Sequence, residues 1–137
     1  MAPSRPSSTK DRKAVLTGQV IVLLEDDELV RRATERMLRR FGAEVLVGAG
    51  SAEALAAISE RRLTPSCVIA DYWLNSREDG LAAVAALRQA ARAPLRGLII
   101  TGDVSDSVAS EVAKAGLRLL RKPVNVDDFV AALLPDI

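Results

Sequence analysis

Histidine is absent from the 137-residue sequence, and cysteine, tryptophan and tyrosine occur once each. The chain therefore has no metal-binding His/Cys cluster, and Cys67 has no partner for an internal disulfide. A single cysteine in an apolar stretch predicts a buried thiol and a reducing, cytoplasmic setting. No apolar run approaches the roughly 20 residues of a membrane-spanning helix, and residues 1–13 lack the apolar core of a signal peptide. Membrane insertion is not expected. Aromatic residues are 3% of a chain that is 49% hydrophobic, so the core must be built from Ala, Leu, Val and Ile, which suits helices packed on an aliphatic sheet. The length allows one domain with a real core, not two.

Net charge is +1 at pH 7, but it is unevenly spread. Arg5, Lys10, Arg12 and Lys13 face only Asp11 in the first nineteen residues, a local excess of three positive charges that leaves the remainder at −2. Residues 1–18 are also rich in Pro and Ser and have no periodicity, and they read as a disordered basic tail or linker, with the folded domain spanning 19–137. Four cations without interleaved aromatics make a solvated segment, and no direct nucleic-acid contact is expected.

The stretch Cys67-Val68-Ile69-Ala70-Asp71 is an apolar run that ends in a carboxylate. Such a run reads as a buried strand of a parallel sheet, with Asp71 emerging at its carboxyl end, the edge where open α/β sheets bind ligands. Val20-Ile21-Val22-Leu23-Leu24 is a second such strand, closed by Glu25-Asp26-Asp27-Glu28. The following helix places Leu29, Val30, Ala33, Met37, Leu38 and Phe41 on one face and stops at Gly42. Residues 44–48 form a short strand, and Ser51 is expected to cap a helix burying Ala54, Leu55 and Ile58. After a polar loop beyond Asp71, a helix over residues 80–91 is expected to bury Leu81, Val84, Ala85 and Leu87. Residues 97–100 form a fourth strand ending at Thr101, and Ser105 caps a helix burying Val108 and Val112. A short strand over 118–120 leads to Lys122-Pro123, and Asn125 caps a last helix with Val126, Phe129, Val130 and Leu133 apolar. Five strands alternating with five helices predict a doubly wound parallel sheet.

That topology brings Glu25, Asp26, Asp71, Thr101 and Lys122 to one sheet edge. Three gathered carboxylates repel one another unless a cation compensates, and oxygen ligands of this kind suit Mg²⁺. An acid cluster, a hard metal ion and a lysine around one aspartate suit transfer of a phosphoryl group onto Asp71, with the Thr101 hydroxyl as a donor to a phosphoryl oxygen.

Over about residues 20–134 the sequence resembles the receiver domain of two-component response regulators. The resemblance is carried by Val22-Leu23-Leu24-Glu25-Asp26-Asp27, Ile69-Ala70-Asp71-Tyr72, Asp79-Gly80, Ile100-Thr101-Gly102-Asp103 and Lys122-Pro123. It implies the flavodoxin-like strand order 2-1-3-4-5 and makes Asp71 the phosphoacceptor, loaded from a phosphohistidine on a sensor histidine kinase or phosphotransfer domain. It also implies Asp26 as a direct Mg²⁺ ligand, Glu25 acting through water, the Trp73 carbonyl as a third ligand, Thr101 as the switch hydroxyl, Lys122 as the phosphate-pairing amine, and a cis Lys122-Pro123 bond. Such a domain is not an enzyme beyond catalysing its own phosphorylation and dephosphorylation. Switching, and possible homodimer formation, would use the helix capped by Ser105, the strand over 118–120 and the helix capped by Asn125. A weaker likeness, in Ala70-Asp71-Tyr72, Leu98-Ile99-Ile100-Thr101-Gly102-Asp103 and Leu119-Leu120-Arg121-Lys122-Pro123-Val124, is to receivers at the C-terminal end of hybrid sensor histidine kinases.

Leu119 departs from the pattern, because many members of the family carry there an aromatic ring that moves with the switch threonine. Trp73 and Asp103 are expected to line the pocket mouth. Three rivals share parts of the pattern. A haloacid-dehalogenase-like phosphatase needs a second Asp where Trp73 stands, and a flavodoxin needs a neutral phosphate loop where residues 25–28 are acidic. A pseudo-receiver that acts only as a protein-binding scaffold is the third.

Overall fold

The computed structural model describes residues 14–74, 78–102 and 105–134. Strands β1 (Val20–Leu24), β2 (Glu44–Gly48), β3 (Cys67–Asp71), β4 (Arg96–Thr101) and β5 (Arg118–Arg121) alternate with helices α1 (Glu28–Arg40), α2 (Ser51–Arg61), α3 (Gly80–Ala90), α4 (Asp106–Lys114) and α5 (Val126–Leu133). All pairings are parallel, in the order β2-β1-β3-β4-β5, with Ile21 opposite Cys67, Cys67 opposite Arg96 and Leu98 opposite Arg118. This is the flavodoxin-like order expected from the sequence.

The unbroken apolar runs of β1 and β3 follow from burial on both faces, since successive side chains of a strand point to opposite sides. Val22, Leu24, Val68 and Ala70 pack with Ala54, Val84, Leu87, Val108 and Val112, so α2, α3 and α4 cover one face. Ile21, Leu23, Ile69 and Leu98 pack with Leu38, Phe41, Phe129, Val130 and Leu133, so α1 and α5 cover the other. Cys67 is buried within that second layer, which pushes its thiol pKa up to about 11 against the opposing pull of Arg96 and Arg118. It is an inert core residue at neutral pH.

Helix ends follow the expected chemistry at α4 and α5, where Ser105 Oγ accepts from Val108 N–H and Asn125 Oδ1 accepts from Asp128 N–H. Gly42, at φ 101°, follows the last turn of α1, where a Cβ would run into Thr17.

Several expectations need correction. Residues 14–18 belong to the fold and not to a tail: Leu16 is fully buried beside Phe41 and its N–H donates to Phe41 O (2.8 Å), an apolar anchor outweighing the polar composition around it. Residues 1–13 lie outside the described residues. Ser51 is not the cap of α2 but its first residue. The cap position is Gly50, which offers no side chain, and Glu78, just before α3, takes over, accepting from Ser51 N–H (2.9 Å) and Ser51 Oγ–H (2.5 Å). On α3 the buried alanine is Ala83, whereas Ala85 is exposed. Leu29, Val30 and Val126 sit on the apolar stripes of α1 and α5 but are exposed, because the first turns of these helices project beyond the sheet they cover.

Candidate functional site

The carboxyl ends of β1, β3, β4 and β5 meet at one edge, and residues at or close to each of these ends line a cleft of about 300 Å³. Glu25, Asp71 and Lys122 line it together with Val30, Thr34, Met37, Val124 and Phe129. Asp71 ends β3 with its side chain 11% exposed. Its Oδ2 accepts from Lys122 Nζ at 2.5 Å and its Oδ1 accepts from Trp73 N–H at 3.0 Å. Both carboxylate oxygens are thereby held in fixed directions. Lys122 owes its place to the sheet ladder, where its N–H donates to Thr101 O (2.9 Å), and the Lys122-Pro123 bond that follows is cis.

Gly80 brings α3 against β3. Its N–H donates to Tyr72 O (2.8 Å), and a Cβ at this position would collide with the Asp71 carbonyl. Asp79 caps the same helix, accepting from Ala82 N–H (2.8 Å). The Asp-Gly pair thus sets how the chain leaves the site.

The acidic run after β1 divides its roles. Asp27 is the N-cap of α1, its Oδ1 accepting from Leu29 and Val30 N–H at 3.0 and 3.2 Å. Asp26 remains exposed beside it. Glu25 is turned inward and only 9% exposed, with Oε1 accepting from Asp27 N–H (3.0 Å). Burial holds the Glu25 carboxyl above its ordinary pKa, and the Asp71 charge adds to that, while the Asp27 amide and Lys122 oppose it. Lys122 moves upward, chiefly through its hydrogen bond to Asp71, with Glu25 and Asp26 contributing. These directions describe one coupled cluster in which a single ammonium offsets the charge of three carboxylates.

Among the described residues no three acidic or sulfur ligands form a ready-made metal cage. Mg²⁺ asks for less, usually one or two carboxylates with the rest of its shell from water and carbonyl or phosphate oxygens. The buried, mutually repelling Glu25 and Asp71, with Asp26 at their rim, are a donor set of that kind.

Thr101 is 1% exposed at the end of β4, beside the cluster by strand position. Trp73, two residues past Asp71, is 62% exposed, its ring edge-on to Tyr72 at 4.8 Å between centroids. Asp103 lies outside the described residues. Two contacts at the site have no local sequence signature. Glu78 binds Ser51 from 27 positions away, and the Tyr72 hydroxyl donates to Glu111 Oε2 on α4 (2.6 Å) from 39 away.

A five-stranded parallel sheet in the order 2-1-3-4-5, with an aspartate, a lysine and an acidic pair at its carboxyl edge, defines a flavodoxin-like α/β domain. The family described as the response regulator receiver domain matches residues 21–134, and the chain belongs to it. A putative NtrX-like response regulator of Rickettsia typhi is 33% identical over 116 residues, which is 82% of this chain and 24% of that protein. The chain spans about a quarter of the length of the curated relatives it matches. Among solved structures, a response regulator receiver protein from Burkholderia phymatum is 29% identical with a TM-score of 0.66, covering 82% of this chain and 90% of that one. A response regulator from Burkholderia pseudomallei, solved with a phosphorylated aspartic acid, a calcium ion and citrate, is 27% identical with a TM-score of 0.72, covering 85% of this chain and 66% of that one.

Proposed function

We propose that this receiver domain takes a phosphoryl group onto Asp71 from a phosphohistidine on a sensor histidine kinase or histidine phosphotransfer partner. The observation that carries the reading is the Asp71 carboxylate, recessed at the end of β3 and held by Lys122 at 2.5 Å and the Trp73 amide at 3.0 Å. In the reaction a P–O bond forms to Asp71 as the P–N bond to the donor imidazole breaks, the nitrogen keeping the electron pair and taking a proton from solvent. Phosphoryl transfer asks the protein mainly for positioning and charge neutralisation. Lys122 pairs with the phosphoryl oxygens once they arrive, and the Thr101 hydroxyl donates to one of them. Asp26, Glu25 and Asp71, with the Trp73 carbonyl, are the residues that would hold Mg²⁺, which when bound neutralises the charge of the transferring group.

Support for a docked protein donor comes from the rim. Leu29, Val30, Trp73 and Val126 are the exposed large apolar side chains among the described residues, and all four follow the carboxyl ends of strands. Leu29 is 80% exposed. Apolar side chains left exposed at this edge are available to a docked partner. The output face is α4, β5 and α5, where β5 is a half-exposed edge strand, a face that would also serve a homodimer. The buried Cys67 thiol supports a reducing cytoplasmic setting.

The test is intact mass after incubation with acetyl phosphate, with and without Mg²⁺, on the parent and on Asp71→Asn. A Mg²⁺-dependent phosphoryl adduct that disappears in the variant is the expected result. No adduct on the folded parent, followed by no Mg²⁺-induced change in Trp73 fluorescence, would replace the reading with that of a protein-binding scaffold.

A further inference from the structure

Where many members of the family carry the aromatic ring of the switch, this chain has Leu119, a side chain that cannot hydrogen-bond and that packs into the layer beneath α4. The same layer holds Tyr72, the residue directly after the acceptor. It is buried in the core layer that also contains Val108 and Val112 of α4, and its hydroxyl donates to Glu111 Oε2 at 2.6 Å in the body of α4. The backbone on either side is fixed as well. Tyr72 N–H donates to Ile100 O (3.0 Å) and Tyr72 O accepts from Gly80 N–H (2.8 Å), so the ring has little freedom to adjust independently of the strand.

We propose that Tyr72 and Glu111 form the mechanical link from the phosphoacceptor to α4 in this receiver, a role that Leu119 cannot fill. The inference rests on the phosphoacceptor reading of Asp71. Loading Asp71 must rearrange the contacts its two oxygens make with Lys122 and the Trp73 amide. Tyr72 lies between Asp71 and Trp73 in the chain, so backbone adjustment there moves its ring, and packed interiors respond to such shifts by repacking rather than by absorbing them. The hydroxyl carries that movement to a charged acceptor on α4. Hydrogen bonds to charged groups are strong enough to bias a two-state element. Tyr72 and Glu111 are positioning residues; neither touches the phosphoryl group.

The experiment uses the full chain as parent, Tyr72→Phe, Glu111→Ala and the double variant. Loading is followed by intact mass with acetyl phosphate and Mg²⁺. The response of α4 is followed by amide hydrogen exchange over residues 106–114, with and without beryllofluoride and Mg²⁺. Tyr72→Phe keeps the ring, so the packing beneath α4 survives. The expected result is equal loading in all four proteins, an α4 exchange response in the parent, and a response weakened about tenfold in each single variant. The double variant should be no weaker than either single one, because both remove the same link. Variants that load and respond as the parent does would overturn the link. So would a parent that loads without any change in α4 exchange. A parent that forms no adduct would remove the phosphoacceptor reading and the coupling with it, and the mass measurement tells that outcome from the others.

Discussion

At the amino edge of the sheet Arg96 donates to Leu133 O (3.0 Å) and Gln19 Oε1 (2.9 Å), Gln19 Nε2 donates to Leu133 O (3.2 Å), and Arg118 donates to Ala132 O (3.0 Å). At the carboxyl edge Glu25, Asp26 and Asp71 crowd around one ammonium. Both edges are charged and both complete helix ends: Asp27, Glu78 and Asp79 cap helix starts at the carboxyl edge, whereas the arginines of the amino edge close a helix C-terminus. The last turn of α5 contains no basic residue, and the arginines at the start of β4 and β5 supply the donors its final carbonyls lack. The opposite edge holds like charges together at a cost in stability, and a cluster of that kind is a place for a ligand that carries the missing positive charge.

The sharpest way to separate the two edges is to remove one cation from each. Lys122→Ala should slow formation of the acetyl phosphate adduct by about 100-fold, as loss of one donor to a developing anion does. Its melting temperature should fall only modestly, because the lysine side chain is 46% exposed, although the Asp71 side chain at 11% is left beside Glu25 without its cation. Stopped-flow or time-resolved mass measurement checks the first half and calorimetry the second. Arg96→Met should do the reverse. Loss of its charged hydrogen bonds to α5 and Gln19 should cost about 2 kcal/mol, seen in urea unfolding, while the rate of adduct formation stays at the parent value. A large fall in that rate would mean that the two edges are not independent.

Glu25→Gln gives the smallest effect and tests the crowding itself. The Glu25 carboxyl is held above its ordinary value of 4.5, so the folded protein retains a proton that the unfolded chain releases. Stability therefore falls as pH rises from that ordinary value through the raised one, and the full cost is present once pH exceeds the raised value. Glutamine keeps an oxygen for the Asp27 amide and carries no charge. The variant should melt on the order of 2 °C higher at pH 7, with the advantage gone near pH 4. A variant that melts lower at pH 7 would show that the carboxylate is not strained in place.

How much of this was legible beforehand depended on distance along the chain. The runs of β1 and β3, the caps Ser105 and Asn125, and the aspartate and lysine at strand ends are local patterns, and they stand where the sequence put them. Leu29 and Val30 misled because periodicity names the face of a helix and not the point along its axis where the sheet beneath it ends. Leu16 misled in the opposite way, a single apolar anchor inside a polar stretch. Ser51 read as a cap by residue type, yet the acceptor came from Glu78.

By itself the sequence determined the class of fold and the edge at which Asp71, Glu25 and Lys122 meet, and its resemblance to the receiver family implied the strand order. Buried parallel strands demand continuous apolar runs, and right-handed crossovers leave few ways to connect them. Only the tertiary structure decided which acidic residue turns inward and which caps α1, that Glu78 completes α2, that Arg96 and Arg118 finish α5, and that Tyr72 reaches Glu111. Each of those pairings joins side chains whose nearness depends on how helices settle on the sheet, and no periodicity or local propensity encodes it.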